Sequence, residues 1–269
     1  MSLQKLLGQN YKWWYILEYS YKQSTGNLKA WLFDNFLASI EFLVIVYIWV
    51  FNQATATTIT YLALGFVYSR IVTSGFGGVL ASYIVNGSIT RDLLRPRNII
   101  SFYFLTNSGF NTVRFTISSM ISFALAYIFF HQQIILTNFR PSTVAWLVLF
   151  LPVSLLSWYL FSFCVGCVGF WANERQSSNS VISGIYTFAN ILSGKMFPLG
   201  LIFIGSFGFL QYTPFAYTLH LPMQIYLGAF SNLQIFYVFL AGLGWCAVLY
   251  VLALNLFRLG LKKNESVGL

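Results

Sequence analysis

Six apolar runs, at residues 32–52, 57–82, 105–130, 143–171, 181–204 and 234–257, dominate the chain. Crossing a bilayer as a helix takes roughly 20 apolar residues. In hydrocarbon, backbone amides and carbonyls find partners only within the protein, so each run is predicted to be helical. The expected fold is all-α: a polytopic membrane protein with six transmembrane helices in a single domain over residues 1–269. Only 8% of residues are charged, against about a quarter in soluble domains, so water-soluble packing cannot hide this surface. The spans leave no room for a sizeable aqueous domain, and chemistry that needs one is expected to come from another chain.

The cations set the predicted orientation. A net charge of +9 on a soluble protein would suggest nucleic acid, but on membrane helices basic residues gather at cytoplasmic ends. With the amino terminus inside, Lys5, Lys12, Lys22, Lys29, Arg91, Arg95, Arg97, Arg175, Arg258, Lys262 and Lys263 are all cytoplasmic. That is 11 of 15 cations, against Arg140 alone on the outer side, and it requires an even number of spans. The expectation is a multi-pass protein of the cell membrane with both termini cytoplasmic, partnered by the lipid bilayer and not by nucleic acid. Residues 1–10 lack the apolar core and cleavage site of a signal peptide.

Two segments depart from simple spans. Over residues 10–30, Trp13, Trp14, Leu17, Tyr21 and Leu28 share one helical arc, with Glu18, Lys22, Thr25 and Lys29 on the adjoining one. This pattern predicts an amphipathic helix lying in the membrane interface. Residues 197–233 carry no Lys, Arg, Asp or Glu, yet Pro198, Pro214, Pro222 and several glycines interrupt them. An uncharged, broken, apolar segment between two spans predicts an outer re-entrant hairpin, centred on 205–233 and pressed against the bundle.

The sharpest local pattern is Gly87-Ser-Ile-Thr-Arg-Asp-Leu-Leu-Arg-Pro96, within the cytoplasmic segment 83–100. Gly87 is expected to end the preceding span and Ser88 to cap a short helix by accepting an amide bond. Ile89 and Leu93 fall on one face, and Pro96 disfavours helix at Arg95. A short helix tethered at both ends in this way passes a push from a cytoplasmic partner into two spans. Four ionisable residues lie within the runs: Glu41, Arg70, Arg114 and Lys195. Such residues are costly in hydrocarbon and face partners or water. Glu41 and Arg70 sit at similar depth in adjacent antiparallel spans and are expected to pair. Cys164, Cys167 and Cys246 read as packing residues, and His131 and His220 are too isolated for a metal site.

Gly-x-Ile-x-x-x-Leu-Leu-Arg-Pro after the second span resembles the cytoplasmic signature of type-2 ABC exporter permeases, in the subgroup of small six-span subunits. Pro214-Phe215 followed by Pro222 and Gly228 is similar to that subgroup's outer segment, and Trp171-x-x-Glu174 to the close of its fourth span. The resemblance implies a homodimer or heterodimer of permeases on cytoplasmic ABC ATPase subunits, which bind ATP and Mg and drive a hydrophobic or amphiphilic substrate outward. It also implies that Gly87, Arg91, Leu93, Leu94, Arg95 and Pro96 dock on the ATPase. The chain itself is not expected to be an enzyme or to hold a cofactor. Its one Gly-Lys pair, Gly194-Lys195, is followed by Met196 and preceded by Ala189 where a P-loop needs glycine. The rival reading is a self-contained ion-coupled carrier or channel. An inverted repeat would favour it, and the hydropathy pattern shows none.

Overall fold

The computed structural model describes residues 28–94, 98–132, 134–135, 138, 140–172, 175–202 and 205–265. Ten α-helices occur there: α1 Leu28–Phe51, α2 Ala56–Val72, α3 Phe76–Val85, α4 Ile89–Leu93, α5 Ile99–Phe130, α6 Pro141–Gly166, α7 Arg175–Leu192, α8 Leu199–Ile202, α9 His220–Tyr226 and α10 Asn232–Glu265. Short 3-10 turns cover Cys167–Phe170, Gly205–Tyr212 and Ala216–Thr218, and no strand occurs among the described residues. Three stretches are long and apolar enough to cross a membrane: Ala56–Val85, Pro141–Phe170 and Asn232–Lys263. The protein is an all-helical, multi-pass membrane protein. The interfacial helix expected over 10–30 lies outside the described residues except for its last three, which form the first turn of α1.

Helix starts follow local chemistry. Thr55 caps α2 by accepting from the Thr58 amide, and Asn98 caps α5 by accepting from Ser101. Pro141 opens α6, where a missing amide proton costs nothing. From there α6 runs through the centre of the largest core cluster. Phe150, Leu160 and Phe163 are buried there with Leu80 of α3, Tyr217 and Ala253 of α10. Small residues let the backbones approach: a Cβ on Gly77 of α3 would sit 2.7 Å from the Ser162 carbonyl oxygen, and one on Gly166 would sit 3.0 Å from that of Gly77.

The run expected over 57–82 is two helices. Thr73 is extended, and Ser74-Gly75 separate α2 from α3 ahead of two further glycines, Gly77 and Gly78, all poor helix formers. The break is served from three other helices, two of them bonding its backbone. Trp158 Nε1 of α6 donates to the Ser74 carbonyl at 3.0 Å, and the Gly77 amide donates to the Tyr186 hydroxyl of α7 at 2.9 Å. Asn107 Nδ2 of α5 donates to Ser74 Oγ at 3.1 Å.

The run expected over 181–204 is displaced. Helix α7 begins at Arg175 and stops at Leu192. Gly194 adopts φ +83°, its amide bonding the Ile191 carbonyl while the Lys195 amide bonds that of Asn190. This left-handed closure satisfies carbonyls at the helix end, and glycine enters it without strain. Lys195 therefore follows the helix instead of lying within it. The proline-broken segment packs closely, with Pro198, Leu199 and all residues from Ala216 to Met223 buried. Two α6 hydroxyls cover its carbonyls: Ser154 donates to Tyr217 at 2.6 Å and Ser157 to Pro214 at 3.4 Å.

The α3–α6 approach is testable. Gly77→Val places a methyl-bearing carbon against backbone and should lower stability by about 1–3 kcal/mol, measured as thermal unfolding in detergent. Gly78→Val, where a Cβ meets open space, should lose far less.

Candidate coupling helix and intramembrane charges

Gly87 takes φ +70° and its amide bonds the Ile84 carbonyl, which closes α3. Ser88 does not cap α4 as expected; its hydroxyl donates backwards to the Tyr83 carbonyl at 3.2 Å. The reason lies in α3, where Tyr83 would otherwise keep an unbonded terminal carbonyl. Thr90 closes the turn by donating from Oγ1 to the Gly87 carbonyl at 2.7 Å. Five residues are too few for an intrinsically stable helix, so α4 depends on its contacts.

One face of α4 is anchored and the other is free. Ile89 is buried in the main core, whereas Arg91 and Leu93 are exposed and Leu94 is 87% exposed. Arg95 and Pro96 lie outside the described residues. Two residues that sequence reasoning passed over complete the unit. The Tyr103 hydroxyl, from the second turn of α5, donates to Asp92 Oδ2 at 2.7 Å. The available signal was a lone carboxylate within a basic stretch, with a tyrosine beyond the following helix cap.

Among the intramembrane charges, Arg70 points Nη2 at Ser118 Oγ of α5 at 3.4 Å. Its guanidinium lies 6.0 Å from the Phe66 ring centroid, and the Lys195 ammonium lies 6.0 Å from the same centroid. Phe66 is stacked on Phe42 of α1 at 4.2 Å. Glu41, exposed on α1, and Arg70 both interact electrostatically with Lys195. Sequence reasoning paired Glu41 with Arg70; the fold also brings Lys195 to the Phe66 ring beside Arg70, because α7 ends early. Next to them the Ser39 and Ser122 hydroxyls join α1 to α5 at 2.6 Å. The Arg114 side chain lies outside the described residues.

In the proline-broken segment, Phe215 sets its ring edge-on to Phe161 of α6 at 4.9 Å, and Pro222 is buried in α9. His220 is buried beside Tyr61, whose hydroxyl lies 3.2 Å from Nδ1 and 3.2 Å from the Gly194 carbonyl. That contact ties α2, the end of α7 and α9 together.

Long apolar helices with a short amphipathic helix between two of them make up the described fold. The family described as ABC-2 family transporter protein matches residues 49–268, and the chain belongs to it. It is a membrane permease of ABC-type transport. No curated protein matches the chain.

The charge group yields a test. Glu41→Gln, Arg70→Met and Lys195→Met, singly and in pairs, should be non-additive in unfolding free energy by about 0.5–3 kcal/mol. Simple additivity in a lipid nanodisc would show that the three do not act together.

Proposed function

We propose that this permease is the transmembrane subunit of an exporter that moves a hydrophobic or amphiphilic substrate outward. Energy comes from ATP, bound with Mg and hydrolysed by separate cytoplasmic ABC ATPase subunits. The working unit pairs this chain with a second permease, as a homodimer or heterodimer in the cell membrane. Six spans are assigned to α1, α2 with α3, α5, α6, α7 and α10, with both termini cytoplasmic. In this arrangement the proline-broken segment before α10 is the outer re-entrant cap.

The observation that carries the reading is α4, a five-residue helix with Ile89 sunk in the core and Leu94 bare to solvent. An 87%-exposed leucine beside Arg91 is poorly placed for folding and well placed to fill a pocket on a partner. Gly87, Arg91, Leu93, Leu94, Arg95 and Pro96 form the proposed ATPase contact. Membership of the ABC-2 family supports the same partner.

Leu93→Asp and Leu94→Asp should leave the protein inserted while weakening capture of the ATPase about tenfold, read by co-purification at graded salt. ATP hydrolysis by the assembled complex should fall in parallel, and unchanged capture would remove α4 from the interface. Topology has its own check. In intact cells, cysteines at Thr213 and Asn232 should react with an impermeant maleimide added from outside. Labelling confined to the cytoplasmic side would invert the orientation.

A further inference from the structure

A docked α4 moves the bundle only if something rigid joins it to the spans. Ile89 supplies apolar contact, but apolar contact is non-directional and lets a helix slide or roll. The Tyr103–Asp92 bond is different. It runs between side chains at 2.7 Å, its acceptor is a carboxylate, and Tyr103 is only 3% exposed, held within the core.

From Tyr103 the contacts continue inward. Its ring lies 5.6 Å from Phe76 at the head of α3, and Phe76 lies 5.3 Å from Tyr159 of α6. The Tyr159 hydroxyl donates to the Ile100 carbonyl at 2.7 Å, fastening α6 to the first turn of α5. One turn on, Phe163 packs 5.6 Å from Phe257 of α10. These rings form one unbroken set of contacts from the short helix to the last long helix.

We propose that Asp92 and Tyr103 form the positioning link through which displacement of α4 is passed to α5 and, by way of Phe76 and Tyr159, to α6 and α10. The inference rests on the coupling reading above and adds residues outside the docking face. Asp92 is half-buried and Tyr103 faces the core, so neither meets the ATPase as Leu94 does. Their role is to make α4 turn with the spans instead of against them.

Two measurements test it. The first needs no ATPase: hydrogen exchange on the purified chain in nanodiscs. Tyr103→Phe removes only the hydroxyl and should speed exchange of the Thr90–Leu94 amides about fivefold, with α10 unchanged. Unchanged exchange in α4 overturns the link. The second uses the complex with its ABC ATPase and a cysteine at Thr213, the native cysteines being buried. ATP with vanadate should alter labelling by an impermeant maleimide. Tyr103→Phe and Asp92→Ala should each reduce that response about fivefold while the ATPase stays bound, and the double variant should be no worse. Asp92→Asn, which keeps an acceptor oxygen, should restore it, which a general loss of stability would not. A full response in Tyr103→Phe overturns the link. No response in the parent complex, or no ATPase bound to it, overturns the coupling reading instead, and the exchange result still decides whether the bond holds α4.

Discussion

Hydrocarbon offers a peptide group no bond, and the internal architecture of this permease follows from meeting that demand wherever a helix breaks. At Ser74 and Gly77 the partners are Trp158 and Tyr186. At Pro214 and Tyr217 they are Ser157 and Ser154. At Gly194 the partner is Tyr61. Helix α6 supplies three of these five donors or acceptors, which explains why so apolar a helix carries serines and a tryptophan on its buried face. Leaving such a group unpaired costs several kcal/mol in hydrocarbon, so these side chains are as constrained as the core itself.

The same economy governs the short helix between α3 and α5. It is too short to hold itself, so its start is closed by bonds to neighbouring backbone, and Tyr103 fixes its carboxylate. What remains free is the hydrophobic edge at Leu93 and Leu94. The helix is thus anchored on one side and bare on the other.

Much of this was legible in the residues. Run length announced the helical fold, because apolar stretches of that size have no soluble use, and the spacing from Gly87 to Leu93 announced α4. Gly87 and Ile89 behave as their types suggest, while Ser88 does not, since the orphan carbonyl it serves belongs to the preceding helix. The break at Thr73–Gly75 was written in Gly75, Gly77 and Gly78, but hydropathy averages over it; only the polar groups on other helices make it affordable. Lys195 falls beyond the end of its helix for a related reason. The run stays apolar past Leu192, and whether Gly194 closes a helix depends on Tyr61 and Leu199 packing around it. The Asp92–Tyr103 bond left only a faint signal, and the approach of Arg70 and Lys195 to one ring is a tertiary fact that no local pattern announces.

The near contact of Gly77 with the α6 backbone bears on how far the two helices can separate. With Cβ-free residues facing Ser162 and Leu80, the seam between α3 and α6 has no width for a file of water, still less for a lipid tail. At Gly77 and Gly166 these two helices meet backbone to backbone, and a side chain at either position would force them apart. Here glycines hold the two helices together by what they lack.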